Sequence, residues 1–200
     1  GSFSKSLFPG LRIGFICANQ QVENEMGVTV PLVDEMVKVK ALLTNNTPAI
    51  SQAILGGILL HLECSLSEWN RPKFGTYKKK RDQMIASLNK YIGRYRYDWA
   101  GNISWNEPDG GFFIKMSLPI EADSASVLEC AARYNVIFCP MRYFYLNGGG
   151  EREIRLTFSN LSLEQIDAGV SSLAAYLKAK VTTAVNERLS HETSLSGITL

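Results

Sequence analysis

The chain opens Gly1-Ser2-Phe3-Ser4-Lys5-Ser6-Leu7-Phe8-Pro9-Gly10-Leu11-Arg12-Ile13-Gly14-Phe15-Ile16, and no other stretch says as much about the protein. Its end continues through Cys17 and Ala18, so that residues 13–18 are apolar on both alternating faces. Such a run predicts a central strand of a two-sided α/β sheet. Ahead of it stands Lys5, alone among small hydroxyl residues and followed by a Pro9-Gly10 turn. A lysine beside a buried sheet is costly to keep charged, which makes its amine a usable nucleophile. Ser2 and Ser4 add hydroxyl donors and Arg12 adds a planar guanidinium, a set suited to a phosphate dianion. A carbonyl compound bearing a phosphate would use both halves: an imine to Lys5 and phosphate contacts to Ser2, Ser4 and Arg12.

Outward from this stretch, residues 20–31 form a polar connection punctuated by glycine and proline. Two helices follow, over 32–43 and 50–69, the second long and apolar enough to be largely buried. Pro72 and Gly75 then break the chain. From Tyr77 a helix places Met84, Ile85, Leu88, Tyr91, Ile92 and Tyr95 on one stripe, with Lys78, Lys79, Lys80 and Arg81 in a solvated first turn. Next come a strand over 112–116, a helix capped by Ser124 that carries Val127, Leu128, Ala131 and Ala132, and a short strand over 136–139. Residues 153–158 alternate, with Ile154, Leu156 and Phe158 on one face and Arg155 and Thr157 on the other. Ser162 and Gln165 form a capping box opening a helix whose buried stripe is Ile166, Val170, Leu173 and Leu177.

Composition narrows the function classes. Of 200 residues, 46% are hydrophobic and 20% charged, enough apolar material for a real core. Lys and Arg total 21 against 19 Asp and Glu, a net charge of +2, too balanced for electrostatic binding of nucleic acid. The longest apolar stretch, 53–60, is far short of the roughly 20 residues that span a membrane. Cys17, Cys64, Cys130 and Cys139 are scattered singly, three of them in apolar runs as buried cysteines are, and His61 and His191 are the only histidines. That pattern predicts no metal site and fits a reducing cytoplasm.

The string S-x-S-K-x-x-x-P-G-x-R-x-G at residues 2–14 resembles the lysine signature of fold type I pyridoxal-phosphate enzymes. It is most similar to class I/II aminotransferases of the branch holding 2-aminoadipate-type enzymes and the aminotransferase-like domains of MocR-type regulators. Three further segments carry the resemblance along the chain. Asn46-Thr47-Pro48 through Ser51-Gln52-Ala53 resembles the entry to the helix linking the two domains. Trp105 through Pro108-Asp109-Gly110-Gly111-Phe112-Phe113 resembles the family's P-x-G-G-x-F strand entry. Arg155-Leu156-Thr157-Phe158-Ser159 resembles the R-L-x-F-S element.

The resemblance implies an α/β protein, the C-terminal part of a pyridoxal-phosphate-dependent transferase fold: the end of a large doubly wound domain plus a small α+β domain. Residues 1–75 would be the remnant of the large cofactor-binding domain with the interdomain helix, 76–182 the small domain and 183–200 a polar tail, of which the last dozen residues are expected to fray. It implies pyridoxal 5'-phosphate as cofactor, Lys5 as the Schiff-base lysine and Ser2, Ser4 and Arg12 as its phosphate ligands. Arg155 would bind the substrate carboxylate; a planar fork on the face opposite the core residues is well suited to a bidentate grip. The segment Pro140-Met141-Arg142-Tyr143-Phe144-Tyr145 departs from the family's Pro-Gly and small residues, which points to Arg142 or Tyr143 as the side-chain selector.

The implied reaction is amino-group transfer between an amino acid and a 2-oxo acid. The alternatives are another pyridoxal-phosphate-dependent biosynthetic enzyme (decarboxylase, lyase or cyclase) or the effector domain of a MocR-type regulator. The first methionine is Met26, and the residues the family uses to stack the cofactor ring are expected upstream. The expectation is therefore a C-terminal half, inactive alone, whose partners are the N-terminal half of the same protein and a second copy in a homodimer.

Overall fold

The computed structural model describes residues 1–93 and 96–196, with side chains described to residue 186. The chain divides into two compact units, Gly1–Pro72 and Lys73–Leu200.

In the first unit, residues 1–15 fold back on themselves. The Phe3 N–H donates to the Ile13 carbonyl at 3.1 Å, the Phe15 N–H to the Gly1 carbonyl at 2.8 Å, and Ser2 pairs with Gly14 in an isolated antiparallel bridge. Between these ends a 3₁₀ turn, Pro9–Leu11, begins on a proline whose fixed φ suits that place. Leu7, Leu11 and Ile13 bury together with Leu55. The strand expected over 13–18 does not form beyond that bridge, and Phe15 and Ile16 are 50% and 61% exposed. A ladder needs a second strand, and among the described residues of this unit no strand pairs with 16–18.

The connection over 20–31 is a small hairpin, β1 (Gln21–Glu23) antiparallel to β2 (Thr29–Pro31) with Val22 opposite Val30. Asn24 builds its turn, accepting the N–H groups of Met26 and Val28 on Oδ1 at 3.0 Å each, and Gly27 takes a φ of +74°. Strands of three residues are too short for alternation to announce them. Helix α1 (Leu32–Leu43) follows as expected, with Asp34 and Glu35 in the first turn and Lys40 in the last, each favourable to the helix dipole.

The long helix expected over 50–69 is corrected. Helix α2 (Ala49–His61) stops early, and α3 (Ser67–Ile92) runs straight through Pro72 and Gly75. The real break lies at Glu63 and Cys64, both left-handed at φ +50° and +60°, where the Cys64 N–H turns back to the Leu59 carbonyl at 2.7 Å. Pro72 sits in the second turn of α3, where it forfeits one ladder bond without ending the helix. Nor is α2 largely buried: Leu55 alone is, while Ile50 and Leu60 are each 78% exposed.

The second unit packs α3 against an antiparallel sheet and two more helices. The α3 stripe buries Met84, Leu88 and Ile92, with Ile85 and Tyr91 packed at its margin; Tyr95 lies outside the described residues. The sheet order is β3 (Ser104–Trp105), β4 (Phe113–Ser117), β6 (Glu153–Thr157), β5 (Cys139–Pro140). In register, Lys115 faces Arg155 and Met116 faces Ile154. Alternation sends Ile114, Met116, Ile154 and Leu156 into the core and leaves Phe113, Lys115, Arg155 and Thr157 on the other face. The strand expected over 136–139 shrinks to Cys139–Pro140, stopped by the proline.

Helix α4 (Ser124–Tyr134) is capped by Asp123, not Ser124: Asp123 Oδ1 accepts the Ser126 N–H at 2.8 Å and the Ser126 hydroxyl at 2.7 Å. Of its apolar residues Leu128 is 70% exposed, whereas Cys130 is fully buried. Helix α5 (Leu163–Ser196) opens on the expected capping box. The Ser162 N–H donates to Gln165 Oε1 at 2.8 Å, and the Gln165 N–H returns to Ser162 Oγ at 3.2 Å. Ile166, Val170, Leu173 and Leu177 are buried. The helix continues to Ser196, beyond the start of the expected tail at 183, because polar residues without proline or glycine add a bond each as a helix propagates.

Candidate active site

The first group of candidate residues sits in the folded-back segment of the first unit. The Leu7 N–H donates to the Phe3 carbonyl at 3.0 Å, closing a turn with Ser4, Lys5 and Ser6 between its ends. Lys5 is exposed there, not set against a buried sheet as the sequence reading expected, because residues 15–18 form no strand. Ser2 is exposed and Ser4 half-buried. Arg12 takes the left-handed conformation at φ +53°, and its Nη1 donates to the Pro9 carbonyl at 3.0 Å. Backbone bonds at both ends thus hold the short segment that carries this amine, these two hydroxyls and this guanidinium. That donor set fits a phosphorylated aldehyde: the amine for the carbonyl carbon, the other three for the phosphate oxygens.

The second group belongs to the sheet of the second unit. Arg155 lies on β6, an interior strand flanked by β4 and β5. Its guanidinium carbon lies 4.3 Å from the ring centre of Phe113, on the β4 side, and 4.6 Å from that of Phe144, which follows β5. Nη2 makes a long contact of 3.7 Å to the Cys139 sulfur. No carboxylate pairs with Arg155 among the described residues. A half-buried cation with aromatic flanks and no acid is arranged to receive an external anion.

Arg142 and Tyr143 lie in a 3₁₀ turn, Met141–Phe144. Arg142 is half-buried. The Asp123 carboxyl is held below its ordinary value first by the Ser126 N–H and hydroxyl and then by the Arg142 charge; Glu151 is lowered first by the Gly149 N–H and also by Arg142. Tyr143 is 59% exposed, and its hydroxyl shares a hydrogen bond with the Ser124 hydroxyl. Tyr145 donates to Glu153 Oε2 at 2.9 Å while Lys115 holds Oε1 at 2.7 Å. Glu153 is accordingly lowered, by Lys115 first, and the Tyr145 phenol is raised by Glu153. Gly148, Gly149 and Gly150 all have positive φ, and a Cβ on Gly150 would stand 2.6 Å from the Tyr145 ring.

Several contributors escaped the sequence reading. Lys80 and Arg81 are not a solvated first turn but anchors in mid-helix. Lys80 donates to the Ser159 carbonyl at 2.9 Å, and Arg81 donates to the carbonyls of Pro108 and Asp109 at 3.2 and 2.9 Å. They pin the two segments that bracket β4 and β6. Phe113 and Phe144 were passed over because their meeting with Arg155 depends on register and a loop path. Asn106 was legible only within its motif; its Oδ1 accepts the Lys115 N–H at 2.7 Å and sets β3 against β4. Cys17 and Cys64 are exposed and Cys139 is half-buried, which leaves Cys130 as the buried cysteine, its thiol pushed up to about 11 by burial. Among the described residues there is no cluster of three His, Cys, Asp or Glu able to hold a metal, and no helix long and apolar enough to cross a membrane.

Residues 1–173 match the family described as aminotransferase class I and II. The chain belongs to that family. It is 34% identical over 181 residues to (S)-3,5-dihydroxyphenylglycine transaminase of Amycolatopsis orientalis, covering 90% of this chain and 39% of that protein. Its fold matches that of LysN, the α-aminoadipate aminotransferase of Thermus thermophilus complexed with N-(5'-phosphopyridoxyl)-L-leucine. That likeness has a TM-score of 0.68 at 28% identity and covers 92% of this chain and 42% of the other. A more distant relative is the HTH-type transcriptional regulator NorG of Staphylococcus aureus, 24% identical over 178 residues, 88% of this chain and 35% of the regulator. The chain thus spans about two-fifths of the length of the first-named relatives, and its fold is the α/β fold of the pyridoxal-phosphate-dependent aminotransferases.

Proposed function

We propose that the protein transfers an amino group between an amino acid and a 2-oxo acid, with pyridoxal phosphate as cofactor. The observation that carries this reading is Arg155, an aromatic-flanked guanidinium without an acidic partner among the described residues, on the element the family resemblance marks for carboxylate binding. When bound, pyridoxal phosphate supplies an aldehyde for the reacting amine and an electron-accepting ring. Ser2, Ser4 and Arg12 hold its phosphate through charge-assisted hydrogen bonds. The Lys5 amine holds the cofactor covalently in the resting protein and, once released, moves a proton at the substrate α-carbon as general acid and base. Arg155 grips the α-carboxylate, and Tyr143 or Arg142 contacts the side chain. Tyr143 is favoured by its exposure, whereas Arg142 is half-buried and its charge already acts on the Asp123 and Glu151 carboxyls.

The protein is proposed to act in the cytoplasm as a homodimer, each copy completed by an N-terminal half. The support is the apolar surface of the first unit, where Leu42, Leu43 and Ile50 are 89%, 78% and 78% exposed.

Formation of a 2-oxo acid from an amino donor by the cofactor-loaded protein, completed by its N-terminal half, tests the reading. Lys5→Ala is expected to lower the rate by about 10²–10⁴-fold. Arg155→Met is expected to lower kcat/KM by an amount equivalent to about 2–5 kcal/mol. Turnover unaffected by either substitution contradicts the assignment. The similarity to NorG supports a second reading, a cofactor-binding effector domain; saturable cofactor binding without any turnover favours it.

A further inference from the structure

We propose that Phe113 and Phe144 are positioning residues that clamp the Arg155 guanidinium for its carboxylate ligand. The proposal rests on the reading of Arg155 given above. A long arginine side chain on a sheet face is ordinarily held by an acid, which would also consume its donors. Here the holding is done by two rings, at 4.3 and 4.6 Å, one brought from β4 and the other from the turn that follows β5. A ring attracts the cation through its quadrupole and removes water from it, yet it offers no oxygen to the N–H fork. The donors stay available, apart from the long contact to the Cys139 sulfur.

The two rings are held differently. Phe113 stands on β4, diagonal to Arg155 in the register that pairs Lys115 with Arg155 and Phe113 with Thr157. Phe144 belongs to the turn after β5, and its neighbour Tyr145 is tied to Glu153 and packed on the Gly149–Gly150 backbone. The segment that departs from the family pattern thus reaches the carboxylate arginine itself. Neither ring is part of the core, at 38% and 53% exposure, so truncating either leaves the fold standing.

The test is a titration of the full chain with propionate, a probe carrying only the carboxylate, followed by NMR of the Arg155 side chain. Ring currents are expected to displace its signals upfield in the unsubstituted protein. Phe144→Leu and Phe113→Leu should each relax that displacement and weaken propionate binding by about three- to thirtyfold, while Phe144→Tyr should restore both. Arg155→Met should abolish binding. If Arg155→Met abolishes binding but both leucine variants bind as tightly as the unsubstituted chain, the clamp is overturned and the carboxylate reading stands. If Arg155→Met binds propionate normally, both fall.

Discussion

Among the described residues, twenty buried side chains form one core in Lys73–Leu200, whereas Gly1–Pro72 gathers four. The difference is not one of composition: α2 is the most apolar helix of the chain, yet it buries only Leu55, and α1 buries nothing. An amphipathic pattern states which face can be covered, and coverage depends on what stands opposite. In the second unit β4, β6, α3 and α5 find their counterparts and bury the residues their periodicity selects. In the first, order comes from local hydrogen bonds: the bridge at Ser2 and Gly14, the Pro9–Leu11 turn and the Asn24 side chain in the hairpin turn. The lysine proposed for covalent chemistry lies in the sparsely buried unit, and the carboxylate arginine lies in the well-packed one.

The contrast can be broken by substitution, measured as denaturant unfolding of the chain. Phe158→Ala empties a site in the larger core with no exposure at all and should cost about 3–5 kcal/mol; a loss below about 1 kcal/mol would mean that this core collapses around the gap. Gly150→Ala puts a Cβ 2.6 Å from the Tyr145 ring at a φ of +72°. It should cost about 1–2 kcal/mol from the left-handed backbone alone, with further loss of the Tyr145–Glu153 bond. Asp123→Ala removes the α4 cap and should cost about 1 kcal/mol at neutral pH.

That last cost should depend on pH in one direction. The folded state holds the Asp123 carboxyl below its ordinary 3.8 through the Ser126 bonds and Arg142. The ionised cap therefore stabilises fully above 3.8 and loses its contribution as pH falls through the lower folded value. The gap between Asp123→Ala and the unsubstituted chain should close in strong acid, and a constant gap would show that charge is not what the cap supplies. Leu42→Ala, at a residue 89% exposed, should change stability by no more than about 0.5 kcal/mol; a larger loss would reveal cover on α1 that the chain's own fold does not provide.

Legibility followed the same divide. The alternation of 153–158, the capping box at Ser162–Gln165 and the stripes of α3 and α5 were readable because local pattern and burial agree there. The strand over 13–18 and the burial of α2 differ from expectation because, among the described residues of this unit, no strand pairs with the one and little covers the other. The break at Glu63–Cys64 gave no warning, as neither residue is a usual left-handed one, while Pro72 gave a false one. For the site, the motifs singled out Lys5, Ser2, Ser4, Arg12 and Arg155 by residue type and spacing. The company of Arg155 was hidden, because Phe113 reaches it across a register and Phe144 through a turn that sequence does not place. The basic run was read as solvent-facing, whereas Lys80 and Arg81 spend their donors on the carbonyls of Ser159, Pro108 and Asp109.

The central claim is that Lys5 is the covalent anchor of a pyridoxal-phosphate site. Incubating the protein with pyridoxal phosphate, reducing it with borohydride and mapping the labelled peptide tests this most directly. A single phosphopyridoxyl group on Lys5, absent from Lys5→Ala, is the expected result. Label on Lys78, Lys79 or another exposed lysine with Lys5 unmodified would contradict it.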